Sequence, residues 1–431
     1  MSQVPADPHA AVVTTAGGVE DGPILTVDGQ PLDEALARAG RRARWRAFLL
    51  VLPLLVFVLV TFITPIGQML HRAIYNPTFS QNMPRISAWL KAHPDDPPTE
   101  EAYALLIEDL KEARKNKTIG AVATRINYDV PGTRSLFTST ARKARRLKPP
   151  FGEALLKANR KWGDPRVWTA MRQAAHAYTI DFLLNALDFT RDAGGDIVRV
   201  EPERQIYGKL FLRTLVLSLV ITGLTLVLGF PIAHLLANLP LRYSNLLMIF
   251  VLLPFWTSLL VRTTSWIVLL QTNGVVNDIL VWLGLIRDDQ RLQMIFNQTG
   301  TVVAMTHILL PFMVLPLYSV MRTIDPSYVR AARSLGATSW TAFRRIYLPQ
   351  TVPGIGAGAL LVFILAVGYY ITPALVGGSS GQLISNMIAF HMQKSLNWSL
   401  AAALASLLLG GVLILYWLYD RLVGIDNLKL G

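Results

Sequence analysis

Six apolar runs, each about as long as a bilayer is thick, constrain this chain more than any other feature. A spanning helix needs about 20 mostly apolar residues. The runs extend from Phe48 to Met69, Leu210 to Ala237, Leu246 to Leu270, Val302 to Met321, Ile355 to Val376 and Leu400 to Tyr419. Hydrophobic residues make up 52% of the 431 and charged residues only 16%, against roughly 25% charged in an ordinary soluble domain. The expected fold class is an all-α membrane protein with about six transmembrane helices. Pro231, Pro254, Pro311, Pro316 and Pro373 lie inside the runs. Proline is tolerated in a membrane helix where neighbours re-satisfy the freed carbonyls. Each marks either a fixed packing kink or one that moves.

The net charge of +13 is explained better by Arg at span ends than by a nucleic-acid partner. Arg242 lies between the second and third runs. Arg322, Arg330, Arg333, Arg344 and Arg345 lie between the fourth and fifth, and Arg421 and Lys429 follow the sixth. All fall on one side, with Arg41, Arg42, Arg44 and Arg46, if the N-terminus is cytoplasmic. Parity then puts the Lys- and Arg-rich segment from His71 to Ile206 outside, and long loops translocate largely regardless of charge. The first run starts too far from Met1, with no small-residue cleavage site after it, to be a secretory signal. The chain has no cysteine, which excludes disulfides and thiolate metal sites.

The expected organisation is a cytoplasmic tail over 1–46, with a weak amphipathic helix at Leu32–Arg46, and a first span over 47–70. An extracytoplasmic helical insertion covers 71–206. A core over 207–420 holds five transmembrane helices and a loop at 322–350, and 421–431 forms a second cytoplasmic tail. Within the insertion, Thr99 is placed to cap a helix with Glu100 and Glu101 in its first turn. Tyr103, Leu106, Ile107 and Leu110 follow as one apolar stripe. GEALLKANRKW and DPRVWTAMRQAAHAYTIDFLLNALDF predict two further helices. The insertion is either a solvated cap or a docking surface for an extracytoplasmic protein.

The loop YVRAARSLGATSWTAFRRIYLPQ (Tyr328–Gln350) carries more chemistry than a connection needs. Asp325 can cap, and Pro326 suits the first helical position, where its missing N–H costs nothing. Tyr328, Ala331, Ala332 and Leu335 share one face, flanked by Arg330 and Arg333. Gly336 sits where a helix end needs positive φ. Thr338 or Ser339 caps a second helix, Trp340–Tyr347, and Leu348-Pro349 leads into the fifth run. The spacing predicts a rigid helix–Gly–helix elbow, either docking a protein or lying on lipid headgroups.

That stretch resembles the EAA loop of permease subunits in binding-protein-dependent ABC importers. The family pattern is Glu-Ala-Ala, three residues, Gly, nine residues, then Ile-x-Leu-Pro. Ala331, Ala332, Gly336, Ile346, Leu348 and Pro349 keep it, and Arg330 stands where the pattern has Glu. From about Leu210 onward, LLPFWTSLLVRTTSWIVLLQTNGVVNDIL and ILLPFMVLPLYSVM are similar to the spermidine/putrescine-type branch. The resemblance implies the type I importer permease fold. It makes Tyr328, Arg330, Ala331, Ala332, Leu335 and Gly336 the ATPase-coupling residues. It also implies a second permease subunit, two ATPase subunits that carry ATP and Mg, an extracytoplasmic solute-binding protein, and a location in the bacterial inner membrane. No cofactor and no catalysis are expected in this chain.

The chain lacks GxxxxGK[ST] and HExxH, and its seven histidines have no metal spacing. LVGGSSGQL (Leu375–Leu383) superficially resembles an ABC signature but has no Walker partner, and reads as a flexible outer turn. Polar and aromatic groups in the runs are candidates for the solute path, because they are expensive in lipid. These are Trp256, Thr257, Ser258, Arg262, His307, Tyr369, Tyr370 and Thr372; each equally suits simple packing. A polycation prefers carboxylates and aromatic faces. The resemblance implies a polyamine-type solute, while the run interiors offer aromatics with Arg262 and His307 but no Asp or Glu, so the residues leave room for another small organic or anionic solute. A self-contained secondary transporter and a non-transporting scaffold are the competing readings.

Overall fold

The computed structural model describes residues 32–192 and 194–423. The tails 1–31 and 424–431, with Lys429, and the side chain of Arg42 lie outside the described residues. The chain divides at Gly67 into two compact units. The first holds α1 (Leu32–Val58) and a π turn, Leu59–Ile63, and α2 (Thr64–Ile74) carries the same helix onward. The spanning stretch is Ala43–Ile74, 32 residues long. The expected amphipathic helix at Leu32–Arg46 is therefore not separate, since α1 runs through it into the span. Thr61 Oγ1 donates to Phe57 O at 2.7 Å and Thr64 Oγ1 to Leu59 O at 2.9 Å. Such hydroxyls hold backbone carbonyls that a π turn leaves loosely paired.

The second unit begins with the insertion. Its helices are α3 (Thr78–Asn82), α4 (Pro84–Ala92), α5 (Glu100–Lys115), α6 (Ile119–Asp129), α7 (Arg134–Lys143), α8 (Phe151–Ala158), α9 (Pro165–Ala175) and α10 (Asp181–Ala186). Those from α3 to α9 enclose one core that includes Phe79, Leu106, Ile107, Leu110, Ile126, Phe137 and Trp162, whereas Phe182 and Ala186 of α10 are buried with Ile384, Leu400 and Leu404. Thr99 caps α5 by accepting from Ala102 N. The long helix expected after Asp164 is instead two, α9 and α10. The end of α2 takes the intervening backbone into extended pairing. Asn76 N donates to Ala177 O and Thr179 N to Ile74 O, each at 2.8 Å, around a Tyr75–Tyr178 bridge. A short antiparallel hairpin of β1 (Phe189–Arg191) and β2 (Ile197–Arg199) follows, with Phe189 opposite Arg199; nothing in the sequence reading foresaw it.

Asp188 joins the insertion to the core. Its Oδ1 accepts from Ile206 N at 3.2 Å and Tyr207 N at 3.1 Å, and its Oδ2 from Gly208 N at 2.7 Å. Three orphan donors of α11 (Tyr207–Asn238) are thereby satisfied by one buried carboxylate. The core continues with α12 (Leu241–Trp256), α13 (Leu259–Leu270), α14 (Val275–Trp282), α15 (Gln298–Thr323), α16 (Pro326–Ser334) and α17 (Ser339–Ala342). After a π turn at Phe343–Tyr347 come α18 (Leu348–Gly368), α19 (Ile371–Val376), α20 (Ile384–Gln393) and α21 (Trp398–Val423).

Among the described residues, 5 helices are long and apolar enough to span: Ala43–Ile74, Tyr207–Asn238, Gln298–Thr323, Ser339–Gly368 and Trp398–Arg421. A sixth arises if the pair Leu241–Trp256 and Leu259–Trp282, bent by 94°, counts as one. The protein is thus an all-α membrane protein, with two corrections to the expected spans. The run Leu246–Leu270 is broken at Thr257 and Ser258. Pro254 has no N–H to return to the preceding turn, and Thr257 is extended, its Oγ1 donating back to Pro254 O at 2.8 Å. The fifth run is displaced: its helix starts at Ser339 and stops at Gly368, not Val376. The break at Tyr369 and Tyr370 is held by α20, where Ser385 Oγ donates to Tyr369 O at 2.6 Å and Asn386 Nδ2 to Tyr370 O at 2.7 Å.

α11, α15 and α18 pack on one another around Leu236, Met313, Val314, Leu317 and Val362. Two glycines four apart permit the approach of α18 to α15, as small residues do in membrane bundles. A Cβ on Gly354 would meet Val320 Cβ at 3.0 Å, and one on Gly358 would meet Met313 Sδ at 2.8 Å. The Gly-rich turn after α19 is not a flexible one. A Cβ on either Gly377 or Gly381 would lie 2.5 Å from Thr301 Oγ1, which itself donates to Gly381 O at 3.0 Å.

Candidate functional site

The elbow is built from local rules. Asp325 Oδ1 accepts from Ser327 N at 2.8 Å and Pro326 opens α16. That backbone hydrogen bond, with the Ser327 hydroxyl and the nearby Arg330 charge, holds the Asp325 carboxyl below the usual carboxylate range. At the far end, Gly336 N donates to Arg333 O at 3.0 Å and Ala337 N to Ala332 O at 3.1 Å. This pair of bonds is a Schellman closure, which needs a left-handed residue, and Gly336 supplies it at φ +90°. Thr338 then caps the next helix by accepting from Thr341 N at 3.2 Å.

The second arm differs from the expected short helix. It is the start of the Ser339–Gly368 span, continuous through the π turn. The first arm presents Tyr328, Ala331 and Leu335 to the outside, with Leu335 90% exposed. Arg330 and Gly336 are exposed as well, whereas Ala332 is half-buried, on the side where Val329 meets the core. No residue of α16 is buried.

The elbow is tied to the bundle at two points. Arg322 Nη1 donates to Ala237 O at 2.6 Å and Leu239 O at 3.3 Å, so a cation closes the C-terminus of α11. Trp340, Phe343 and Tyr347 stack in succession with centroids 5.8 Å apart, and Tyr347 meets His234 of α11 edge-on at 5.0 Å. A cavity of about 690 Å³ lies beneath, lined by His234, Arg322, Val329, Arg330, Phe343 and Tyr347 among others.

The candidate path residues separate into two groups. Arg262 on α13 lies within electrostatic reach of His307 on α15 and of Tyr369. Trp266, one turn after Arg262, donates Nε1–H to His307 Nδ1 at 3.2 Å and packs edge-on to its ring at 5.3 Å. That bond makes Nδ1 the acceptor and leaves the ring proton on Nε2. The Tyr369 and Thr372 hydroxyls adjoin, and the Arg262 Nε has no hydrogen-bond partner among the described residues. Trp256, Thr257 and Ser258 do not join this cluster. They form the exposed break between α12 and α13, with Trp256 84% exposed. Tyr370 is also exposed and contributes its carbonyl to the α20 contact instead. Trp266 was missed from the sequence, although its position four residues after Arg262 marks the same helical face. Arg322 was read only as an orientation charge.

A family model described as binding-protein-dependent transport system inner membrane component matches residues 225–424. The spermidine/putrescine transport system permease protein PotB of Escherichia coli is 38% identical over 221 residues, or 51% of this chain and 80% of that protein. The chain belongs to this permease family. PotB of Haemophilus influenzae is 33% identical over 224 residues, covering 52% of this permease and 78% of that protein. A crystal structure of a bacterial ABC transporter that imports the acidic polysaccharide alginate aligns over 51% of the permease and 80% of that chain, at 22% identity and a TM-score of 0.41. By the family match and the identity to PotB, the protein is a multi-pass inner-membrane permease subunit of a binding-protein-dependent ABC importer. The family match includes both the elbow and the Arg262–His307 cluster and leaves the 71–206 insertion outside.

Proposed function

We propose that this permease, paired with a second permease subunit, forms the solute path of the importer, and that its elbow seats in a partner ATPase. Two ATPase subunits carry ATP and Mg. An extracytoplasmic solute-binding protein delivers solute on the side of the insertion, and the N-terminus and elbow face the cytoplasm. The observation that carries this reading is the elbow itself: α16 is capped at both ends, is anchored through Val329 and the adjoining Arg322, and leaves Tyr328, Ala331 and Leu335 uncovered. Closure of the ATPase then moves a rigid arm that continues directly into the Ser339–Gly368 span. The chain has no cysteine, so a single introduced thiol reports one position. Leu335→Cys is expected to crosslink to the ATPase subunit in the assembled importer, while Leu285→Cys, exposed at a distant turn, is not. Equal crosslinking at both, or none at Leu335 in an intact complex, removes the docking assignment.

The solute is a polyamine or a related small organic molecule, supported by the spermidine/putrescine transport named for the similar permeases. One observation favours a second class. The Arg262, Trp266, His307 and Tyr369 cluster contains one cation, Arg262, a neutral imidazole N–H donor and aromatics but no carboxylate, which suits an anionic solute better than a polycation. Competition of labelled spermidine uptake by unlabelled polyamines and by small dicarboxylates decides between the two.

A further inference from the structure

We propose that the cavity between the insertion and the last span binds a phosphate-type anion, in the form of a phospholipid headgroup. The cavity has a volume of about 570 Å³ and is walled by three stretches of chain: the end of α2 and the turn after it, α6 with Arg134, and Leu396–Ser399. Arg72, Arg125 and Arg134 all line it, with Tyr75, Tyr128 and Trp398, and no carboxylate does. Arg125 is only 2% exposed. Its Nη1 pairs with Asp129 and its guanidinium lies over the Phe182 ring, but its Nε has no hydrogen-bond partner among the described residues. A buried donor left unmade is costly unless something fills the role. Asp129 offsets the charge of Arg125, so Arg72 and Arg134 remain as the lining cations with no ion pair among the described residues.

The position of the cavity selects the source of the anion. Arg72 lies in the last turn of the first spanning helix, which ends at Ile74, and Trp398 opens the last span. Arg72 also sits over the Trp398 ring at 6.0 Å. Span ends with Trp and Arg lie at headgroup depth. The neighbouring contacts already join insertion and core: Asn76 Nδ2 donates to Ser399 Oγ at 3.0 Å and Tyr128 Oη to Ser395 O at 3.4 Å. A bound phosphodiester completes this seam, tying the insertion to the last span through Arg72 and Arg134.

The test uses the whole importer in a neutral detergent at fixed ionic strength, with dihexanoyl phosphatidylglycerol, dihexanoyl phosphatidylcholine and inorganic phosphate as probes. Saturable thermal stabilisation by the phosphatidylglycerol is expected. The double variant R72Q/R134Q lowers its affinity about tenfold or more, as loss of charged hydrogen bonds does, while R72K/R134K keeps most of it. Neither change touches the elbow or the Arg262 cluster, so failure here leaves the importer reading intact. If inorganic phosphate gives the same saturable, arginine-dependent shift, the anion site stands and its source is free phosphate. Absence of a saturable shift with any probe, or a shift that R72Q/R134Q leaves unchanged, overturns the proposal.

Discussion

Replacing Gly336 isolates the backbone contribution to the elbow. A Cβ built there meets no atom within 4 Å, so crowding plays no part and the penalty comes from φ +90° alone. An L-residue in the left-handed region costs roughly 1–2 kcal/mol, Asn less, and a β-branched residue more. A shift of that size lowers the population of the hinged form by a factor of about 5–30. If the hinged form is what the ATPase receives, solute-stimulated ATP hydrolysis in reconstituted importer falls in the order Gly, Asn, Ala, Val, with Gly336→Val nearly abolishing it. Basal hydrolysis and assembly are unchanged. Gly284 provides the control, because it too has positive φ, at +70°, and open space around its Cβ position, yet lies in a turn after α14. Gly284→Val is expected to leave stimulation intact. Normal stimulation in Gly336→Val with assembly preserved would refute the claim that a rigid elbow transmits closure.

The helix crossing of α18 on α15 should be intolerant of bulk: Gly358→Val overpacks against Met313 and lowers stability by about 1–3 kcal/mol, read as a fall in the melting temperature of the purified subunit. Trp266→Phe keeps the ring contact but removes the donor to His307 Nδ1. Loss of one net hydrogen bond, about 0.5–1.5 kcal/mol, should raise the KM for uptake up to about tenfold if the cluster lines the path, and an unchanged KM would place the pair in packing alone. In the insertion, hydrogen bonding to the Arg166 side chain holds the Asp164 carboxyl below its ordinary 3.8. A depressed carboxylate contributes stability above the unfolded value and loses it as pH falls through the folded one, so exchange protection at the start of α9 should weaken below pH 3.8. Asp164→Asn, which keeps an acceptor for Arg166 N, should remove that dependence.

The elements legible in the sequence are those whose energetics are local. The Asp325 and Thr338 caps, the Gly336 closure and the Thr99 cap each satisfy backbone groups within a few residues of themselves. The apolar runs were legible because every backbone group in lipid must be bonded within its own helix. The breaks were not. Pro254 was visible, but the extended backbone at Thr257 depends on what surrounds it, and Pro311 and Pro316 sit inside the unbroken α15. The same residue type ends one helix and is absorbed by another.

The sequence by itself determined that this protein crosses the membrane several times and carries a rigid, capped elbow between two spans. Tertiary structure alone decided which polar residues meet. Arg262, Trp266 and His307 converge because α13 turns away from α12 and leans on α15, and Tyr369 reaches them because α20 holds the broken end of α18. It also decided that α9 and α10 are two helices and that Arg72, Arg125 and Arg134 share a cavity. Those outcomes follow from contacts between segments far apart in the chain, whose free energy no single segment contains.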